Sequence, residues 1–207
     1  MNLPFFNLDG VLPAGDDFKL TFDGIRQSHL ITGACSSNVS DWDREGRLHL
    51  LENFEMLVNC LWKVGVEEVF LGGSFVEDKP KPQDIDGCFL CPNADELRKG
   101  QFSKYLDDVS TELMREQRVW YWGDRIENTI TGRRELRMKH YYHVELIPYS
   151  PDMKNAITIP ATGERLPIPV AFRKRHGDLL SKGIVQVIRD DHDNHLISEK
   201  RKPPLIE

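Results

Sequence analysis

The chain has 207 residues, of which 40% are hydrophobic and 29% charged, an ordinary composition for one globular core of good size. Its formal net charge of −6 argues against a protein that coats nucleic acid by bulk electrostatics. No apolar run approaches the roughly 20 residues that cross a bilayer, and residues 1–4 lack signal-peptide features, so we expect a single cytoplasmic domain over 1–207 without a membrane partner.

The first third of the chain is predicted to form an extended arm and one long helix. Residues 1–17 combine Pro, Gly and Asp with apolar anchors, which is typical of an arm that packs on its domain. Apolar residues recur at helical spacing over 41–64 and Gly65 follows them, so we predict a helix there. Ser40 and Asp43 are expected to form its capping box, and the helix should cover one face of a sheet.

A buried strand and a tight turn come next. Residues 67–71 form an apolar, β-branched run that ends at two glycines. Because Gly72 and Gly73 have no Cβ, the turn can bring its backbone close to a ligand. We expect the N–H groups from Gly72 to Phe75 and the Ser74 hydroxyl to contact phosphate oxygens, which predicts a nucleotide-binding turn. The alternative is an ordinary turn without a ligand.

Two carboxylates follow on a second predicted strand. Side chains at positions i and i+2 share one face of a strand, so Asp84 and Asp86 should project together while Ile85 faces the core. Two such anions repel each other unless a cation joins them. Mg²⁺ or Mn²⁺ would neutralise them and hold the attacking and leaving oxygens of an in-line displacement. The alternative is an exposed strand end that binds nothing.

The second half of the chain is predicted to add one helix, several strands and an irregular, Pro-rich C-terminal segment. A hairpin is expected around Gly123 and Asp124. The sheet should therefore be mixed and backed by helices, an α/β protein of the α+β type. The helix is predicted over 93–117, and the strands over 118–122, 127–131, 141–147 and 182–189.

Basic residues along the chain have two interpretations. The clusters at 133–139 and 173–176 are either solvated faces or surfaces that steer phosphates. The same alternatives apply to Lys79, Lys81 and Lys182, because a lysine in a loop can bind a triphosphate or simply be hydrated.

Two further segments have metal-binding residue types, but simpler structures are expected for both. Cys88 and Cys91 form a lone Cys-x-x-Cys without the second pair that a structural zinc site needs, so all four cysteines are predicted to be reduced. The tail over 190–207 contains Asp and His, yet its composition favours an acidic, turn-prone loop.

The Gly-Ser pair at 73–74 followed by Asp84 and Asp86 resembles the signature of the nucleotidyltransferase superfamily with the polymerase-β-like fold. Segments 3–13 and 182–185 also resemble a family of small prokaryotic nucleotidyltransferase-like proteins. The resemblance implies a minimal nucleotidyltransferase fold. Gly87 departs from the pattern, which has an apolar residue there, and this departure suggests a bulge or a point of substrate entry.

The resemblance also implies a third carboxylate on a later strand. Glu145 is the best match, and it would then join Asp84 and Asp86 as metal ligand and catalytic residue and accept the proton of the acceptor hydroxyl. His143 is expected on the same face of that strand, where it could assist proton transfer or simply be packed.

The activity implied by the resemblance is metal-dependent transfer of a nucleoside monophosphate from ATP, another NTP or a dNTP to a hydroxyl of RNA, tRNA or protein, with release of pyrophosphate. Such relatives belong to prokaryotic toxin–antitoxin or anti-phage defence systems, which implies a cognate partner protein. Two alternatives remain: a synthase that joins nucleotides into oligonucleotide signals, and a catalytically silent nucleotide-binding or antitoxin module.

Overall fold

The fold is an α+β arrangement around a mixed five-stranded sheet, which confirms the predicted fold class. The computed structural model describes residues 3–15, 17–92, 94–110, 113, 117–151, 156–158 and 162–190. The helices are α1 (Phe22–Gln27), α2 (His29–Thr32), α3 (Arg44–Lys63), α4 (Ala94–Arg98), α5 (Gln101–Val109), α6 (Arg137–Tyr142) and α7 (Ile168–Phe172). The strands are β1 (Asp17–Leu20), β2 (Val69–Gly72), β3 (Ile85–Leu90), β4 (Arg125–Glu127), β5 (Arg134–Leu136), β6 (Val144–Tyr149), β7 (Ala156–Thr158), β8 (Arg165–Pro167) and β9 (Ile184–Val187).

The main sheet has the strand order β1-β9-β2-β3-β6. β1 and β9 are parallel, β2 is antiparallel to both β9 and β3, and β6 is parallel to β3. In this register Gly72 lies opposite Asp86, and Asp86 lies opposite Glu145. Three adjacent strands therefore place these residues in one row across the sheet.

The two faces of the sheet are covered to different extents. On one face, α3 packs its fully buried Phe54 and Leu57 against the strands in the main core, which confirms that this helix backs the sheet. On the other face, a small apolar cluster joins Phe70 and Cys88 of the sheet to Phe172 of α7. Asp86 and Cys88 alternate with buried Ile85, Gly87 and Phe89, so the Asp86 carboxylate points to the less covered face.

The long helix begins later than predicted. Asp43 is its N-cap and accepts a hydrogen bond from the Gly46 N–H at 2.9 Å, so the helix starts at Arg44. Ser40 lies instead in a short 3₁₀ helix, Val39–Asp41, and the expected capping box with Ser40 is wrong. The other end agrees with the prediction, since Gly65 follows the helix with a φ of +85° that favours glycine.

The middle of the chain differs most from the predictions. Gly100, with a φ of +72°, separates α4 from α5, so a continuous helix over 93–117 is wrong; Asn93, its expected start, lies outside the described residues. Residues 118–122 form turns rather than a strand. There Trp120 is fully buried and donates its indole N–H to the Ser110 hydroxyl at 3.0 Å. This single buried ring fixes the segment in the core, so its side chains do not alternate between two faces as they would in a strand.

The hairpin and the strand that carries Glu145 also differ from their predicted positions. β4 pairs with β5 across a turn that begins at Asn128, whose side chain accepts the N–H of Ile130 and Thr131, so the turn is not at Gly123 and Asp124. The predicted strand over 141–147 begins only at Val144, because α6 occupies the preceding residues.

The ends of the described chain agree with the predictions. The N-terminal arm packs on the domain through fully buried Val11 and Leu12. β9 lies within the predicted strand over 182–189 and inserts between β1 and β2. All four cysteines lie among the described residues, and none of them forms a disulfide. The predicted loop at 191–207 lies outside the described residues, and no described helix is long and apolar enough to cross a membrane.

Candidate functional site

A cleft of about 910 Å³ opens where β3 and β6 meet α7. The volume is in the roughly 300–1,000 Å³ range of small-molecule pockets. Its lining includes the two carboxylates of Asp86 and Glu145, the turn residues Gly73 and Ser74, and apolar and basic side chains from the C-terminal part of the chain. Acidic, basic and apolar surfaces therefore converge in one cavity, beside the row of Gly72, Asp86 and Glu145.

Three carboxylates meet at one end of this row, and a lysine lies among them. The Lys139 ammonium is 2.7 Å from Asp84 Oδ2, 3.2 Å from Glu145 Oε2 and 3.8 Å from Asp86 Oδ1. Each of the three acidic side chains is between 21% and 33% exposed. The shared ammonium shows that Asp84 and Asp86 project together as predicted, and that Glu145 joins them across the β3–β6 pairing.

The charge of one lysine does not neutralise the three carboxylates of this cluster. Burial and the neighbouring Asp84 carboxylate together raise the pKa of Asp86 to about 6. Burial by itself lowers the pKa of Lys139, but the carboxylates of Asp86, Asp84 and Glu145 reverse that effect, and the Lys139 pKa lies above its ordinary value. Three carboxylates face a single ammonium, so the cluster carries excess negative charge.

Gly73 permits the close approach of the turn to the acidic strand. Its φ is +65°, and a Cβ at this position would lie 2.4 Å from Asp86 Oδ2. Glycine is therefore required here for two reasons: the backbone is in the left-handed conformation, and there is no space for a side chain. Ser74 follows it in a short 3₁₀ helix, Gly73–Val76, and lines the cleft.

Gly72 and Phe75 do not line the cleft as Gly73 and Ser74 do. Gly72 is buried in the sheet, where a Cβ would lie 2.9 Å from the Phe172 ring. The Phe75 side chain is fully buried, and its carbonyl accepts a hydrogen bond from Arg47 at 2.8 Å. Both residues support the turn from within the core. Of the four residues predicted to contact a nucleotide, Gly73 and Ser74 are therefore the two that line the cleft.

The predicted bulge at Gly87 is wrong. The residue keeps a regular register with Leu71 on one side and Leu146 on the other. A Cβ there would lie 2.6 Å from the Phe70 carbonyl oxygen and 3.2 Å from the Phe54 ring. Glycine is thus needed at position 87 chiefly because of the close backbone of β2, and Gly87 is buried beneath α3, where it offers no entry for a substrate.

Arg47 of α3 holds the chain that follows the glycine turn. Its guanidinium donates to four backbone carbonyls and lies 4.0 Å from the centre of the Trp42 ring. Burial lowers the pKa of Arg47 to about 9, because the side chain is fully buried. The four acceptors are the carbonyls of Leu30, Phe75, Glu77 and Lys79. Sequence inspection missed this residue, since its place in α3 gives no signal of a distant partner.

Lys182 supports the same turn from the last strand. It is 2% exposed, and its ammonium donates to the Gly73 carbonyl at 2.8 Å and to the Glu77 carboxylate. Burial lowers the pKa of Lys182, although the Glu77 carboxylate opposes this effect. Lys182 is therefore not a hydrated loop lysine: it forms a buried ion pair with Glu77 and lines the cleft.

His143 does not lie where it was expected. It ends α6 in the left-handed conformation with a φ of +54°, and its side chain is exposed. Its carbonyl accepts the Ile85 N–H at 2.9 Å, which ties the end of α6 to the start of β3. The α6 helix that ends here also delivers Lys139, and a helix of six residues is too short to be detected by apolar periodicity.

The two basic clusters have different positions. In the first, Lys139 enters the carboxylate cluster, while Arg137 forms an ion pair with Asp124 at 3.1 Å. In the second, Arg173 is paired with Asp17 at 2.6 Å, whereas the following residues from 174 to 176 line the cleft. Part of each cluster therefore adjoins the site and part supports the fold.

The donor atoms of the cluster suit a hard divalent cation, because carboxylate oxygens are the ligands that Mg²⁺ prefers. The pKa of Asp86 is raised first by burial and then by the neighbouring carboxylates of Asp84 and Glu145, which add negative charge at the same point. However, among the described residues no three His, Cys, Asp or Glu side chains are already arranged as a metal site. The point that the three carboxylates share holds the Lys139 ammonium instead.

The fold and the site together define an α+β protein with a carboxylate cluster at the edge of a cleft that acidic, basic and apolar side chains line. The chain belongs to a family of unknown function, DUF6932, whose family model matches residues 4–188. This match includes the glycine turn, both acidic strands and α6. No curated protein and no solved structure matches the chain significantly.

Proposed function

We propose that the protein is a metal-dependent nucleotidyltransferase that moves a nucleoside monophosphate from an NTP or dNTP to an acceptor hydroxyl and releases pyrophosphate. The observation that carries the proposal is the row of Gly72, Asp86 and Glu145, which sets a glycine turn beside paired carboxylates at a cleft. Asp84 adds a third carboxylate to the same point. We expect the reaction to take place in the cytoplasm.

The cleft lining supports a nucleoside triphosphate as the ligand. The turn at Gly73 and Ser74 faces the cleft from one side and Lys174 and Arg175 from another, so the phosphates have donors and positive charge around them, although Asp178 pairs with Arg175. Ile147 and Phe172 supply apolar surface in the same cavity, on which a nucleobase can pack. We assign the phosphates to the turn and the base to the apolar surface.

In the proposed reaction, Asp84, Asp86 and Glu145 hold Mg²⁺ or Mn²⁺. When bound, the ion would neutralise charge on the phosphates and make the acceptor hydroxyl more acidic. Glu145 accepts the proton of the acceptor hydroxyl, whose oxygen bonds to the α-phosphorus as the bond to pyrophosphate breaks. The Ser74 hydroxyl donates a hydrogen bond to the phosphates and keeps them in line.

We propose RNA, tRNA or a protein side chain as the acceptor and a prokaryotic defence or toxin–antitoxin system with a cognate partner as the setting. A second candidate is a catalytically silent nucleotide-binding or antitoxin module. The observation that favours it is the Lys139 ammonium, which already supplies a cation to all three carboxylates. A synthase of oligonucleotide signals is the remaining alternative.

The test is release of pyrophosphate from each NTP and dNTP with Mg²⁺ or Mn²⁺, with and without total tRNA or cell lysate. Asp84→Ala and Asp86→Ala should lower release by at least about 10²-fold, because charge stabilisation at the reacting phosphate is lost. Asp124→Ala is the matched control, since this aspartate pairs with Arg137 of α6 and does not contact the cluster lysine.

The labelled product then separates the candidates. Label on RNA or protein identifies a modifying enzyme, and a ladder of free oligomers identifies a synthase. Triphosphate binding without release under every condition would support the silent module. Equal release by the wild type and Asp86→Ala would contradict the proposed mechanism.

A further inference from the structure

The most unusual feature of the site is that a side chain of the protein occupies the point shared by the carboxylates. The Lys139 ammonium lies within 3.8 Å of all three. Mg²⁺ binds carboxylate oxygens at about 2.0–2.1 Å, so an ion bound by all three carboxylates would take the position that the ammonium now occupies between them. The lysine ammonium and the ion therefore cannot both occupy this position at the same time.

We propose that Lys139 is a tethered competitor of the divalent ion, so that the site rejects the free ion and accepts it as a complex with a triphosphate. This inference rests on the proposed function, because it names the form in which that substrate binds. Lys139 leaves the carboxylates when the complex enters, and its ammonium then pairs with the phosphates.

Charge balance explains why the triphosphate is required. With three carboxylates and one ammonium, the cluster has a formal charge of −2 when all groups are ionised. A free ion that displaces Lys139 gains the carboxylates but removes the three ion pairs that the ammonium makes with them, so part of the gain is lost. A triphosphate supplies new acceptors for that ammonium, so entry of the complex avoids this loss.

The position of Lys139 allows such a movement. Its side chain is 29% exposed, so it is not enclosed by packing. It lies on α6, whose six residues end at Tyr142, and only His143 separates this helix from the strand that carries Glu145. A change of side-chain rotamer moves the ammonium by several ångströms without any movement of the sheet, because a lysine stem has four rotatable bonds.

The test measures Mn²⁺ binding to the full chain by calorimetry, without nucleotide. Lys139→Met should bind Mn²⁺ at least ~10-fold more tightly than the wild type, the equivalent of about 1.4 kcal/mol. Lys79→Met is the control: Lys79 lines the cleft and is exposed, and its substitution removes the same unit charge. It should change Mn²⁺ affinity much less, because an exposed charge is screened.

A second arm repeats the titration with a non-hydrolysable triphosphate. The nucleotide should raise Mn²⁺ affinity strongly in the wild type and several-fold less in Lys139→Met, since the competitor has already been removed. Lys139→Arg keeps a cation at this position and should bind free Mn²⁺ as weakly as the wild type. If Lys139→Met folds poorly, Lys139→Gln replaces it, and the gain in Tm on addition of Mn²⁺ replaces the calorimetric affinity.

Unchanged or weaker Mn²⁺ binding in Lys139→Met would overturn the inference, and so would the absence of binding by both proteins at millimolar Mn²⁺. These results are separate from the test of the proposed function. Tighter Mn²⁺ binding by the variant without pyrophosphate release by the wild type would support the competitor and refute the transferase. Release with unchanged Mn²⁺ affinity would support the transferase and refute the competitor.

Discussion

Lys139 and Lys182 both lie close enough to the Asp86 carboxylate to lower its pKa, yet their surroundings differ. Lys182 is 2% exposed and has one carbonyl and one carboxylate as partners, which is a complete and balanced set for a buried ammonium. Lys139 is 29% exposed and faces three carboxylates that it cannot neutralise. A buried, balanced lysine supports the fold, whereas a partly exposed lysine among excess anions can be exchanged for another cation.

Substitution of the balanced lysine should have the largest effect on stability. Lys182→Met leaves the Glu77 carboxylate, which is 15% exposed, without its partner and should lower the free energy of unfolding by about 3–5 kcal/mol. Urea denaturation measures the change. The double variant Lys182→Met/Glu77→Gln should recover part of the loss, because no unpaired charge remains. A loss below about 1 kcal/mol in the single variant would show that Lys182 is not a structural ion pair.

Substitution of Gly73, whose carbonyl accepts a hydrogen bond from Lys182, should come second. Gly73→Ala adds the cost of a left-handed alanine, about 1–2 kcal/mol, and a collision of its Cβ with Asp86. Gly132→Ala is the control, because its φ is +67° and nothing lies within 4 Å of a Cβ there. The difference between the two unfolding free energies isolates the Asp86 contact, and Gly73→Ala alone should lose pyrophosphate release. Equal costs would mean that the turn does not press against the acidic strand.

Substitution of the exchangeable lysine should destabilise the protein less and in a metal-dependent way. Lys139→Met should cost about 1 kcal/mol without metal, because a partly exposed ion pair contributes little. Mg²⁺ should offset this cost by binding the freed carboxylates, and thermal denaturation with and without Mg²⁺ measures both effects. The same substitution at Lys182 should not be rescued by Mg²⁺. A loss at Lys139 as large as that at Lys182 would remove the distinction between the two lysines.

The smallest effect is expected for the hydroxyl on the turn. Ser74→Ala removes one hydrogen bond to the phosphates and should weaken nucleotide binding by about 1 kcal/mol, since the backbone donors of the turn remain. Titration with a non-hydrolysable triphosphate measures the change. Stability should stay the same, because Ser74 is half-buried and lines the cleft. An unaltered affinity would place the phosphates away from this turn.

Local patterns predicted much of the fold and one half of the candidate site. The apolar periodicity of α3, the short apolar strand β2 and the alternation of Asp84, Ile85 and Asp86 are each properties of a few neighbouring residues. Backbone geometry translates such patterns directly into a buried face. Gly73 belongs to the same group, because a left-handed turn after a strand favours glycine whatever surrounds it.

The failures share one cause, which is that distant residues overrode local preference. Trp120 buries its ring in the core instead of alternating in a strand, and Gly87 is required by the close approach of the Phe70 carbonyl rather than by a bulge. β6 begins later than predicted, because six of the residues before it form the helix α6. None of these outcomes follows from propensity within the segment itself.

The sequence by itself therefore determined that a glycine turn precedes two carboxylates on one strand face, since strand periodicity acts over neighbouring residues. Only the tertiary structure decided which groups meet them. The parallel pairing of β3 with β6 places Glu145 beside Asp86, and α6 sets Lys139 among the three acids. These contacts join residues far apart in the chain, and the free energy that selects them comes from packing the whole core.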